Sequence, residues 1–245
     1  MTTEMVNTEE LAGAGATVPE GEVEARAFFA GLQENRSRTY RFLSRLFRRE
    51  VDAELLQTLE QIDYPADTGT PEIDEGHYRI AKFLSNEWPD VLTLLAKDYV
   101  LCFIGYGMES HSAAYPYESV YLSEKHLMMQ SARDEVLAVY RSQGVDKQAD
   151  WKEGEDHVAL EFEFMAILAD RAAAAVQAGE DARYDELMAV SAGFMEDHIL
   201  KWVPTMLDEL DHRAKTGFYL GLAYVAKGFL KADSAFLKDV CAEQA

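Results

Sequence analysis

The sequence predicts an all-α protein. Two observations carry this: apolar residues recur at three- and four-residue spacing through most of the chain, and no stretch shows the alternating β-branched pattern of a strand. A third, the placement of Gly, Pro and Asp at the ends of the periodic runs, divides the chain into separate helices. The clearest run is Val158, Phe162, Met165, Ala169, Ala172 and Val176, whose 4-3-4-3-4 spacing fits a helix, with Gly179 as its C-terminal stop.

The remaining elements follow in order. Over residues 22–50, Phe28, Phe29, Leu32, Tyr40, Leu43, Leu46 and Phe47 mark one long amphipathic helix interrupted by the polar stretch 33–38. Asp52 is placed to cap a short helix ending near Ile62, and residues 64–74, with Pro65, Gly69 and Pro71, read as a loop. Tyr78, Ile80, Phe83 and Leu84 resume the helical spacing. Residues 86–89 interrupt it, and Pro89 suits the first position of a helix carrying Val91, Leu92, Leu95, Tyr99 and Phe103, which Gly105 and Gly107 would end. A further helix is expected over 118–143, stopped by Gly144, before a polar linker over 145–154. Beyond the central run, helical patterns cover 184–210, 216–230 and 234–240, with Pro204 marking a kink or break.

Composition bounds the function classes. A chain of 245 residues with 48% hydrophobic side chains can build a real core as one large domain or two small ones. Its two cysteines, Cys102 and Cys241, form neither a disulfide framework nor a thiolate metal site, which fits a reducing cytosol. The N-terminal sequence has no basic and apolar leader pattern, and nowhere do ~18 consecutive apolar residues occur, so neither secretion nor stable membrane insertion is expected. Residues 1 to about 20, rich in Thr, Glu, Gly and Ala, are expected to form a disordered tail ahead of an all-helical domain over 21–245. With 44 acidic and 23 basic residues the formal charge is −21, a field that repels nucleic acid and attracts cationic segments.

Few motifs carry chemistry. His157 and Glu161 stand four apart on one helix face, but two groups do not make a metal site, and a hydrogen-bonded structural pair is the simpler reading. Asp156 is placed to cap the helix while the His157 imidazole, kept partly protonated by neighbouring acids, faces a groove. Pro116, Tyr117, Glu118 and Ser119 read as a loop and a helix start. Phosphate-cradling and nucleophile-elbow motifs are both missing, which favours a binding protein over an enzyme.

Four blocks in a fixed order are more specific: Y-x-x-x-F-x-G from Tyr99 to Gly105, P-Y-E-S-V-Y from Pro116 to Tyr121, E-D-H-x-x-x-E-F-x-F-M from Glu155 to Met165, and F-M-E-D-H-I-L-K-W-V-P from Phe194 to Pro204 with F-Y-L-G-L-A after it. In these the chain resembles the TorD/DmsD family of molybdoenzyme maturation chaperones over roughly residues 24–232. The resemblance implies a single-domain helical bundle of about ten helices. It also implies a cytoplasmic, non-catalytic role with no cofactor of its own: binding the twin-arginine signal peptide of a molybdopterin oxidoreductase catalytic subunit until that enzyme is loaded.

By the same resemblance, the leader-binding residues would be Asp156 and His157, the loop residues Tyr117, Glu118, Ser119 and Tyr121, and the aromatic lining Tyr99 and Phe103. Tyr99 and Tyr117 stand where some members place tryptophan, and Gly154 where a proline is often seen. A leader joins two guanidinium groups to an apolar helix-forming segment, so carboxylates from Glu118, Glu155, Asp156 and Glu161 beside an apolar groove would suit it, where the Tyr117 loop meets the start of the Glu155 helix. Two other readings stand beside this one: a chaperone for a cytoplasmic-facing enzyme with a vestigial leader, of the nitrate reductase assembly type, and a nucleotide hydrolase using His157 and Glu161. The 143–154 linker is a candidate hinge for a homodimer formed by domain swapping.

Overall fold

In a computed structural model, residues 20–105, 113–149 and 151–243 are described. They form ten α-helices and no strand: α1 Glu20–Arg48, α2 Ala53–Gln61, α3 Pro71–Leu84, α4 Val91–Tyr99, α5 Glu118–Leu122, α6 Ser131–Ser142, α7 Val158–Ala178, α8 Asp181–Phe194, α9 Leu200–Arg213 and α10 Gly217–Glu243. Two wide π turns extend this frame, Val100–Ile104 after α4 and Met195–Ile199 joining α8 to α9. The expected tail and Gly107 lie outside the described residues.

The central element is α7, of whose 21 residues thirteen are buried on every side of the helix, not only on the predicted stripe. Against it runs α1, with the rings of Tyr40 and Phe47 packed on Phe162 at 5.8 and 5.9 Å and Ser44 Oγ donating to the Ala159 carbonyl at 2.7 Å. The polar interruption 33–38 is where α1 meets α8 and α10. Arg36 is buried and grips both Asp233 oxygens at 2.5 and 3.0 Å, Tyr40 Oη donates to the same carboxylate at 2.6 Å, and Gln33 accepts from Arg36 at 2.6 Å. The polar stretch that interrupts the apolar spacing of α1 thus holds an internal pairing of charge.

A second contact rests on glycines. At Gly76 a Cβ would lie 2.7 Å from the Gly221 carbonyl oxygen and 2.8 Å from the Val225 nitrogen, and one at Gly221 would lie 2.7 Å from the Gly76 carbonyl oxygen. Backbone meets backbone there, so α3 and α10 approach more closely than any side chain permits.

Several boundaries differ from the sequence reading. The helix expected over 118–143 is two helices, because residues 123–130 turn back on themselves. Ser123 Oγ accepts from Leu127 N at 3.1 Å, Gln130 N donates to Ser119 Oγ at 3.2 Å, and His126 and Met129 adopt φ of 50° and 59°. Pro89 precedes the helix instead of opening it: Asp90 is the N-cap of α4, accepting from Thr93 N at 3.1 Å, and it is Pro71 that opens a helix, α3. The two runs expected over 216–240 are one helix, since Asp233 turns inward to Arg36. Pro204 lies inside α9 without ending it, and the π turn before that helix supplies the local widening that a missing N–H demands. Asp52, Gly144 and Gly179 act as read: Asp52 accepts from Leu55 N at 2.9 Å, and both glycines take positive φ, 65° and 71°.

Two substitutions test this frame. Asp233→Ala leaves the Arg36 guanidinium buried and unpaired, and should lower unfolding free energy in urea by about 3–5 kcal/mol. Gly221→Ala should lower it by about 1–3 kcal/mol despite the better helix propensity of alanine, because backbone must move to admit the methyl group.

Candidate functional site

The sequence places Tyr117 and His157 far apart; the fold joins them in an isolated antiparallel bridge. Glu118 N donates to the Asp156 carbonyl at 3.0 Å and Val158 N to the Pro116 carbonyl at 2.9 Å, so the start of α5 lies against the start of α7. The expected capping is exchanged between the two helices. His157 is the N-cap of α7, its Nδ1 accepting from Ala159 N at 3.0 Å, whereas Asp156 Oδ2 accepts from Ser119 N and so caps α5, also at 3.0 Å. Gly154 admits this turn: a Cβ there would stand 2.7 Å from Asp156 Oδ1, which is the physical content of its departure from proline.

The carboxylates meet in this seam, each in a different condition. Glu155 is buried, which opposes ionisation, but hydrogen bonds from Arg133 and from Lys147 at 3.0 Å outweigh burial and hold its pKa down at about 2. Glu118 lies 3.2 Å from His198 Nδ1 through both oxygens; burial raises its pKa, and the His198 contact opposes that rise. Glu161 is fully buried, accepts from Trp202 Nε1 at 3.1 Å, and has its pKa raised well above the carboxylate range by burial and then by the charge of Glu118. Two oxygens in the seam, Asp156 Oδ1 and Glu161 Oε1, are buried with no hydrogen-bond partner.

His157 departs from expectation. Burial, with Arg48 nearby, pushes its pKa down to about 3, so the imidazole is neutral. Its ring is edge-on to Tyr117 at 4.9 Å and to Trp151 at 5.6 Å. Nor do His157 and Glu161 form the side-chain pair that their spacing suggested, since Nδ1 goes to Ala159 and the Glu161 carboxyl to Trp202.

Tyr117, Glu118, Ser119, Glu155, Asp156, His157 and Glu161 are thus brought together, but as a closed seam with every one of them buried, not as the walls of an open groove. Tyr121 sits at its edge, donating to Glu209 at 3.0 Å with its ring 5.4 Å from Trp202. Tyr99 and Phe103, 4.9 Å apart, belong to the adjoining aromatic layer: Tyr99 Oη donates to the Phe47 carbonyl at 3.0 Å and Phe103 packs on Phe47 and Tyr219. An open cleft of about 220 Å³ lies beside the seam, between α1, α7 and the 145–151 connection, with Arg48 stacked 4.1 Å over Trp151.

The sequence reading missed His198, Trp202, Arg133 and Lys147. A signal existed for the first two: Glu196, Asp197 and His198 repeat the E-D-H order of Glu155, Asp156 and His157, and His198 and Trp202 stand four apart on one helical face. Arg133 and Lys147 carried none, because only the fold brings them to Glu155. No group of three or more metal-ligating side chains gathers among the described residues.

Fold and site together define a helical bundle with an acidic, internally capped seam where two distant motifs meet. Residues 66–208, a stretch that contains the whole seam, match the family described as nitrate reductase delta subunit, and the chain belongs to that family. The TorD/DmsD resemblance holds along most of the chain. It is 26% identical over 215 residues to the Chaperone protein TorD of Photobacterium profundum, covering 85% of this chain and 97% of that one. Over 212 residues it is 24% identical to the Chaperone protein TorD of Aliivibrio salmonicida, 84% of this chain and 96% of that one. With the Chaperone protein TorD of Vibrio parahaemolyticus it shares 25% identity over 222 residues, 87% and 98% of the two chains.

The neutral His157 sets a pH dependence whose sign is fixed. Unfolded, the imidazole titrates near its ordinary value of about 6.5; folded, it resists protonation down to about 3. Between these the unfolded state binds the extra proton, so His157 removes stability as pH falls below about 6.5. His157→Asn keeps an acceptor for Ala159 N and removes the titration. Denaturant melts should show the variant gaining on the parent by up to about 1.4 kcal/mol per pH unit from pH 6 to 4; a constant difference would mean that His157 is protonated when folded.

Proposed function

We propose that this protein is a cytoplasmic, non-catalytic maturation chaperone for a molybdopterin oxidoreductase, and that it binds the twin-arginine leader of that enzyme's catalytic subunit at the seam between α5 and α7. The relatives named Chaperone protein TorD, matched along nearly their whole length, support the role. No helix among the described residues is long and apolar enough to cross a membrane, which fits a cytoplasmic site of action. The observation that carries the site is the pair of buried, unpartnered carboxyl oxygens, Asp156 Oδ1 and Glu161 Oε1, in a chain of net charge −21. A guanidinium presents five donors in a planar fork; its charge would hold Glu161 ionised and its donors would satisfy both oxygens, which are costly to leave unpaired in a low-dielectric interior. Entry requires the Tyr117–Ser119 turn to part from the Glu155–His157 turn, which one bridge and one cap hold closed.

Because the matching family is described by a nitrate reductase subunit, a second reading keeps the role and changes the client: an enzyme whose leader is vestigial. A swap of helical halves through the 143–154 linker stays within this proposal; Lys147 bonded to Glu155 and Trp151 under Arg48 would have to be released for it.

Calorimetric titration with synthetic twin-arginine leaders, each beside a version with both arginines replaced by alanine, separates the readings. Micromolar or tighter binding to one leader, lost in its alanine version, is the expected result; no binding to any leader shifts the client to the vestigial type. Asp156→Asn keeps an oxygen for Ser119 N but removes the charge, and should weaken leader binding about 10-fold or more with circular dichroism unchanged. Unaltered affinity in that variant would take Asp156 out of the site.

A further inference from the structure

The helix that the sequence predicts over 118–143 is broken at residues 123–130, and what the break achieves is exposure. Leu127, Met128 and Met129 stand 53%, 41% and 55% exposed, and Leu122 45%. Four of the eleven large apolar side chains exposed among the described residues therefore fall within eight positions. A continuous helix would carry these residues round its axis instead of holding them on one short loop. The loop is fixed at its ends by Ser123 Oγ, by Gln130 N on Ser119 Oγ and by His126 Nδ1 at 2.9 Å from the Val120 carbonyl, and it places two non-glycine residues, His126 and Met129, in the left-handed region. Strain accepted in order to display apolar surface to water points to something that covers it.

What covers it is indicated by continuity with the seam. Ser119, whose Oγ anchors the loop through Gln130, is the residue whose N–H is capped by Asp156; Arg133, in the first turn after the loop, is bonded to Glu155. One short path therefore runs from unpartnered carboxyl oxygens to an exposed, unbranched, polarisable apolar patch. We propose that Leu122, Leu127, Met128 and Met129 form the docking surface for the apolar segment that follows the arginine pair of the leader, an inference that rests on the leader-binding reading above. A ligand with cationic groups at one end and an apolar helix at the other meets matching chemistry in the same order. Methionine's flexible thioether lets one surface accept apolar segments of differing sequence.

A double-mutant cycle tests this. The full chain and its Leu127→Ser, Met128→Ser, Met129→Ser variant are titrated with a synthetic twin-arginine leader, and with the same leader carrying serines in place of its apolar residues but keeping both arginines. The variant should bind the intact leader about 10-fold more weakly or worse, and the serine leader no more weakly than the parent chain binds it, with the urea midpoint unchanged because the altered side chains lie outside the core. If the variant binds the intact leader as tightly as the parent does, and the parent still discriminates against the alanine version, the patch is not the docking surface and the leader reading stands. If the parent binds no twin-arginine leader, that reading fails and the patch loses its occupant with it.

Discussion

Burial of α7 on all its faces is the constraint from which the rest of this protein follows. A helix of alternating alanines and large apolar residues must be covered all round, so α1 lies along it, α8 folds back against it from Gly179, and its N-terminus ends inside the molecule rather than in water. That buried N-terminus carries Glu155, Asp156, His157 and Glu161 with it. Polar groups enclosed in this way need partners, and the chain supplies them from four other elements: Ser119 from α5, Arg133 from α6, Lys147 from the linker and Trp202 from α9.

The seam shows how one low-dielectric environment sorts chemically equivalent groups. Glu155 remains charged because two cations reach it, whereas burial and then the nearby Glu118 push the Glu161 pKa well up. His157, which pattern alone suggested as a cation, is neutral and serves as a backbone acceptor. The net negative field of the chain is therefore not expressed uniformly inside it. What remains unsatisfied, one oxygen each on Asp156 and Glu161, is the feature on which the proposed recognition of a guanidinium depends.

Much of the fold was legible. The all-α class, the 29-residue length of α1, the caps at Asp52, Gly144 and Gly179, and the extent of α7 all follow from spacing and from backbone preferences that act within a few residues. The misreadings have two kinds of cause. The 118–143 helix was split by bonds from Ser123 and Ser119 to the loop backbone, the runs either side of Asp233 were fused by its pairing with Arg36, and Pro204 was accommodated by the π turn ahead of it. Only the Asp233 pairing is a distant contact that overrides local propensity; the other two are local side-chain and backbone details that hydrophobic spacing does not register.

The candidate site divides in the same way. By itself the sequence determined which residue types would be concentrated at Tyr117–Ser119 and Glu155–Glu161, since motif identity and order are properties of the chain alone. Only the tertiary structure decided that the two motifs pair through a bridge, that Asp156 caps α5 and not its own helix, that the carboxylates lie closed in a seam, and that the loop beyond α5 displays its methionines. The reason is physical: protonation, partner choice and exposure are fixed by what surrounds a group in space, and residues such as Arg133 and His198, 22 and 80 positions from the carboxylates they meet, become neighbours only when the core of α7 is buried.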